Sequence, residues 1–252
     1  MATQAKPIIL FIHGSWHLPL HYRALIDGLR SSGFTVLAPY LVTTGYSDSI
    51  DDKTHVDATN QVRGYISPYL DQGREVVVVS HSSGGIVAGQ ASVGLTLEDR
   101  KAQGLRGGIS SVIYIAALTD PENARYRAPF PEGWTDHKKR PMPEPLAGAL
   151  LYNDVEESRV QEALRLLVWQ SETTFAPDRL HAQSEVRAAK IFVVCTRDKI
   201  VPPEKQYQRA ADAGATVAEL ECGHSPFLRD RETAQLVDII LKAAEGSVNA
   251  SL

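Results

Sequence analysis

Cysteine is scarce. Cys195 and Cys222 are the two in 252 residues, with no paired spacing of the kind that staples a small secreted scaffold. Long apolar runs are missing as well. No stretch nears the roughly 18 residues that span a bilayer, and Met1 to Pro7 carries no apolar signal segment. The expectation is a cytoplasmic protein with two free thiols and no membrane partner. An excess of one charge is also lacking: the formal net charge is -4, which excludes a broad polyanion-binding face, so no nucleic-acid partner is expected. The one cationic cluster, His137-Lys138-Lys139-Arg140, lies among prolines and reads as a solvated loop. The Walker and dinucleotide glycine patterns are absent, and Gly104 to Gly108 is no phosphate cradle. The eight histidines show no metal-ligand spacing, so neither a metal nor another cofactor is expected. No internal repeat or low-complexity tract occurs. The residues that are there, 43% hydrophobic and 22% charged, suit one large globular domain with a real core.

Short apolar runs alternate with amphipathic stretches, the pattern of βαβ units around a parallel sheet. Strands are predicted at Ile8 to Ile12, Thr35 to Ala38, Glu75 to Val79, Ser111 to Ala117, Ile191 to Cys195 and Thr216 to Leu220. Helices are predicted at His21 to Arg30, Thr54 to Leu70, Ser83 to Ala91, Glu204 to Ala213 and Arg231 to Ala244. Gly33 suits the C-terminal cap of the first helix.

From about 121 to 180 the alternation breaks. Seven prolines, from Pro121 to Pro177, accompany one helical pattern of Val160, Leu164, Leu167 and Val168. The expected organisation is a core of residues 1–120 and 181–252, with 121–180 inserted as a cap or lid over the C-terminal strand ends. Open α/β sheets bind their ligands at those ends. A partly disordered loop and a dimerisation arm are the alternatives, so a homodimer stays open.

Three features carry chemistry. The first is Val76 to Val79, then Ser80-His81-Ser82-Ser83-Gly84-Gly85, then a helix: the strand, tight turn and helix of a nucleophile elbow. Ser80 stands where the Gly-x-Ser-x-Gly pattern has its first glycine, and it is small enough for that turn. Ser82 is the candidate nucleophile, and the Ser83 backbone N–H at the helix start is a candidate oxyanion donor. The plainer alternative is that Ser82 and Ser83 only cap the helix. The second feature is His13-Gly14-Ser15-Trp16 after the first strand. Ser15 is assigned the other oxyanion N–H, and His13 a loop-fixing hydrogen bond. The third is the pair of late strand ends, Asp198 after Val193 to Arg197 and His224 after Leu220 to Gly223. The chain order Ser, Asp, His fits a triad in which Asp198 orients His224 and His224 takes the Ser82 proton. Asp120 is the alternative acid. His81 is expected to pack or to support the site from behind, and His181 to lie at the surface. Trp16, Phe130, Trp134, Leu150 and Trp169 are the candidate walls of an apolar pocket, with plain packing as the alternative for the lid aromatics.

Ile9 to Trp16, Ser80 to Gly85, Val194 to Pro203 and Gly223-His224 resemble the small α/β-hydrolases that include plant salicylate-type methylesterases and hydroxynitrile lyases. Leu151-Tyr152-Asn153-Asp154 is similar to the start of the lid helix in related hydrolases. The resemblance implies an α/β-hydrolase fold with a six-stranded parallel core, which matches the strand count; with the flanking helices and inserted lid read above, the expected sheet is about six-stranded and mostly parallel. It also implies esterase chemistry without a cofactor; the expected partner is a small-molecule ester or lactone substrate. The lyase branch carries a Lys directly after its catalytic His and the methylesterase branch usually an apolar residue; here Ser225 and Pro226 follow. The expected activity is that of a serine carboxylic-ester hydrolase. A lyase or biosynthetic enzyme on the same triad and a ligand receptor on the same scaffold are the alternatives.

Overall fold

A computed structural model describes residues 5–119, 139–175 and 181–246. Six strands form one parallel sheet. They are β1 (Ile8–Ile12), β2 (Val36–Leu37), β4 (Glu75–His81), β5 (Gly108–Ile115), β8 (Ala189–Cys195) and β9 (Thr216–Leu220). Their order is β2-β1-β4-β5-β8-β9, every pair parallel. A second, antiparallel sheet of three strands joins β3 (Thr44–Gly45), β7 (Trp169–Ser171) and β6 (Lys139–Arg140), in that order.

The strand sequences are β-branched because both faces of the sheet are covered. Successive side chains point to opposite faces. Ile9, Phe11, Val77, Val79, Ile113 and Val193 pack against α1 (Arg23–Ser31) and α8 (Asp230–Ala244). Ile8, Leu10, Val76, Val78, Val112 and Phe192 pack against α2 (His55–Asp71) and α3 (Gly84–Ser92). The start of α2 is held by a capping box in which Thr54 and Asp57 exchange hydrogen bonds. Helix α3 is buried at all nine positions, which explains its small residues. The short polar helix α4 (Leu97–Ala102) was not among the predicted elements, although Thr96 and Asp99 box its N-terminus. Helix α7 (Pro203–Ala213) ends at Gly214 in the left-handed conformation, φ +64°.

The described part of the inserted region holds α5 (Glu144–Leu150) and α6 (Glu157–Leu166). Met142, Ala147, Leu151, Tyr152, Val160 and Ala163 form an apolar cluster with Trp16, Ile86, Leu118, Ile200 and Val201, which come from loops or helices following core strands. That cluster seats the inserted residues at the C-terminal side of the sheet.

Candidate active site

Strand β4 ends in a strained turn. Ser82 has φ +52°, a left-handed backbone that costs a non-glycine residue about 1–3 kcal/mol and persists where the surroundings enforce it. Its N–H donates to Ile115 O (3.1 Å), and its carbonyl accepts from Gly85 (3.0 Å) and Leu118 (2.8 Å). Close approach demands the glycines that follow. A Cβ on Gly84 would lie 2.6 Å from His13 O, and one on Gly85 2.7 Å from Leu118 O. Ser80 is fully buried, and its hydroxyl donates to Ile113 O at 3.1 Å.

Asp198 and His224 come from the loops after β8 and β9. His224 Nδ1 donates to Asp198 Oδ2 at 2.7 Å, with both side chains withdrawn from solvent. The second carboxylate oxygen accepts from the N–H groups of Ile200 (2.8 Å) and Val201 (2.9 Å). Gln206 of α7, fully buried, adds a 3.0 Å hydrogen bond to Oδ2 and ties itself to Cys195 N and Val201 O. The carboxylate is therefore fixed from four directions. Since Nδ1 carries the proton toward Asp198, Nε2 of His224 is the basic nitrogen; it is buried and has no hydrogen-bond partner.

The loop after β1 lies against the elbow. A Cβ on Gly14 would fall 2.9 Å from His81 Nδ1 and 3.0 Å from Ser82 Cβ. Ser15 and Ser83 meet, through other atoms than an oxyanion pair would use. The Ser15 N–H donates to Ser83 Oγ at 2.8 Å, and the two hydroxyls are also 2.8 Å apart. Ser83 is the N-cap of α3, but its side chain caps nothing in the helix; it points to Ser15 instead.

Four further histidines pack around this loop, each with its tautomer set by its partners. His13 Nδ1 donates to Gly14 O (3.0 Å) and Nε2 accepts from Leu41 N (3.1 Å). His17 Nδ1 donates to Ser15 O (2.8 Å), and Nε2 accepts from the Tyr152 hydroxyl (3.1 Å). His21 Nε2 donates to Ala163 O (3.1 Å) while Nδ1 accepts from Leu18 N (3.0 Å). His81 Nε2 donates to His224 O (2.9 Å), and Nδ1 accepts from the Tyr22 hydroxyl (2.8 Å), whose oxygen in turn accepts from Gly14 N (3.1 Å). Burial lowers His13 and His21 to about 4. It also holds His17 and His81 well below the usual imidazole range, aided by neighbouring histidines. All four are neutral near pH 7, as those hydrogen bonds require. Burial raises Tyr22 and Tyr152, so both keep the protons they donate.

Among the predicted wall residues, Trp16 is buried and Leu150 partly buried in the apolar cluster beside the inserted helices. Trp169 packs edge-on against Tyr46 in the small sheet, ring centroids 5.8 Å apart. Phe130 and Trp134 lie outside the described residues, as does Asp120. His181 is partly exposed and pairs with Glu185 at 3.2 Å. Ser225 is fully buried, and its hydroxyl has no hydrogen-bond partner. Sequence reasoning missed Gln206, Tyr22 and His17. Nothing local marks them, because each gains its role from a partner on another element.

The model of the Alpha/beta hydrolase family matches residues 9–236. Among curated proteins, Alpha/beta hydrolase nvfD of Aspergillus novofumigatus is 26% identical over 234 residues, covering 88% of this chain and 91% of the relative. Among solved structures, a methylesterase of Arabidopsis, MES16, superposes with a TM-score of 0.77 at 19% identity, covering 95% of this chain and 99% of the other. A variant of polyneuridine aldehyde esterase gives a TM-score of 0.75 at 16% identity, with 94% and 99% covered.

Proposed function

The chain belongs to the alpha/beta hydrolase family, and from that premise we propose that it is a serine hydrolase that cleaves carboxylic esters through an acyl-enzyme on Ser82. The observation that carries this reading is the buried 2.7 Å pair of Asp198 and His224, which leaves one basic nitrogen without a partner. Ser82, on its strained elbow, is assigned as the nucleophile; its hydroxyl makes no hydrogen bond to His224 Nε2 in this structure and must turn toward it for proton transfer.

In the proposed cycle His224 Nε2 removes the Ser82 proton as the hydroxyl oxygen attacks the ester carbonyl. Asp198 keeps the imidazole in the right tautomer and stabilises the imidazolium. The tetrahedral intermediate collapses and expels the alcohol, which takes its proton from Nε2. Water then attacks the acyl-enzyme and gives a proton to Nε2; the second tetrahedral intermediate collapses by breaking its bond to Ser82 Oγ, which takes that proton back, and the acid leaves. The oxyanion is assigned to the N–H groups of Ser83 and Ser15, at about 3–4 kcal/mol per donor. For Ser15 to serve, the Ser83 hydroxyl must swing off the Ser15 N–H that it now occupies. The substrate's carbonyl oxygen takes its place.

The inserted segment 121–180 is read as a cap. The apolar cluster of Trp16, Ile86 and Leu118 with Met142, Ala147 and Leu151 supports this, as well as an apolar acyl or alcohol group in a small ester or lactone. Trp16, Leu150, Trp169, Phe130 and Trp134 are the proposed walls. Two free, buried cysteines suit a cytoplasmic setting. The test is turnover of aryl esters, methyl esters and lactones by the wild type and by Ser82→Ala. The variant is expected to keep its circular dichroism spectrum and melting temperature while losing turnover. A folded Ser82→Ala protein with wild-type turnover overturns the proposal.

A further inference from the structure

One short turn of the inserted segment is hydrogen-bonded to the candidate oxyanion, acid and histidine loops. The Tyr152 hydroxyl donates to His17 Nε2 at 3.1 Å, and His17 Nδ1 donates to the carbonyl of Ser15 at 2.8 Å. The side-chain amide of Asn153 donates to Arg197 O at 3.3 Å, in the peptide directly before Asp198. The Asp154 carboxylate accepts from Gly223 N at 2.7 Å, in the residue before His224. Arg229, after the histidine loop, pairs with the same oxygen at 3.3 Å and also donates to Asp154 O. The fit leaves no spare room: a Cβ on Gly223 would lie 2.5 Å from Asn153 Oδ1 and 2.6 Å from Asp154 Oδ1.

We propose that Tyr152, Asn153 and Asp154 are positioning residues that set the oxyanion, acid and histidine loops in register, so that hydrolysis requires the inserted segment to be seated. This rests on the reading of Ser82, Asp198 and His224 as the catalytic groups. The case is strongest at His224. Its carbonyl is held by His81 from the core, its ring by Asp198, and the N–H one residue earlier by Asp154 from the insertion. Removing the last anchor leaves the loop tied on one side. A misplacement of about 1 Å at such a residue costs on the order of a hundredfold in rate, with little effect on ground-state binding.

The test compares wild type, Asp154→Ala, Asp154→Asn and Tyr152→Phe. Asp154→Ala is expected to lower kcat by about ten- to a hundredfold with KM within about threefold. Asp154→Asn should recover most of that loss, because its amide oxygen can still accept from Gly223 and Glu232 still pairs with Arg229. Tyr152→Phe removes one oxygen from a packed ring and guards against misfolding; kcat should fall at least severalfold. Hydrogen exchange by mass spectrometry supplies a readout independent of turnover. Amides of 221–225 should exchange at least about tenfold faster in Asp154→Ala than in wild type, with core-strand peptides unchanged. If the folded alanine variant keeps both its kcat and its exchange rates, the proposal is overturned. If wild type neither hydrolyses esters nor reacts at Ser82 with a fluorophosphonate, the hydrolase reading fails. The exchange result then decides the positioning claim by itself.

Discussion

Lowering the pH should unfold this protein through its histidines before its carboxylates matter. His13 and His21 sit at about 4 in the fold against 6.5 for a free imidazole, because burial disfavours the charged ring. A depressed histidine is neutral in the folded chain while the unfolded chain has already taken its proton. Its contribution to stability is present above about pH 6.5 and is lost as the pH falls toward 4. At pH 5 each of the two accounts for about 0.9 proton of difference between unfolded and folded chains, or about 1.2 kcal/mol per pH unit. Integrated from neutrality, the pair removes about 4 kcal/mol by pH 5 and about 6 kcal/mol by pH 4. His17 and His81 are shifted in the same direction and steepen the loss. Against a typical margin of about 5–15 kcal/mol, that is enough to bring the acid transition near pH 4–5. The assay is urea unfolding followed by tryptophan fluorescence at half-unit steps from pH 7.5 to 4, and His21→Gln should flatten the curve by about one proton. A wild-type stability that stays flat within about 1 kcal/mol from pH 7 to 5 would refute the reasoning.

The hydroxyl of Ser83 blocks a donor that the proposed oxyanion hole needs. Ser83→Ala should therefore raise kcat/KM for a fast aryl ester, by about two- to tenfold for a competing hydrogen bond of about 0.5–1.5 kcal/mol; a fall in steady-state kinetics would count against that role for the Ser15 N–H. Gln206→Leu strips the Asp198 carboxylate of one donor and leaves Cys195 N without its acceptor. A loss of about 1–3 kcal/mol in denaturant stability is expected, together with a lower kcat.

The parallel core could be read from the chain because its strands are buried on both sides. Ile8 to Ile12 and Val76 to Val79 are therefore uninterrupted apolar runs, and only their ends shifted, as with β4 running on to His81. Ser82, Asp198 and His224 could be proposed from the chain for a related reason: each follows a strand, and parallel strands bring their ends to one rim. The small sheet was not legible. Its strands Thr44–Gly45 and Lys139–Arg140 are two residues long, too short for an alternating pattern. Ser83 illustrates another limit. Its type and position suggested a helix cap, yet tertiary proximity to Ser15 redirected the side chain. Tyr22 and Asp154 draw their meaning from partners 59 and 69 residues away, a relation that no local window contains.

The pairing of Lys139 with Ser171 and Arg140 with Gln170 brings the two arms of the inserted region together in a narrow neck, about 5 Å across. Everything between Arg140 and Gln170 therefore starts and ends at nearly one point. Exchanging it for a foreign cap would add little loop-closure entropy. Such a transplant would be covalently simple but functionally selective. A donor that brings its own tyrosine–asparagine–aspartate turn would meet prepared sockets on three loops, whereas one without it would leave the loop of the proposed base, His224, without its Asp154 anchor.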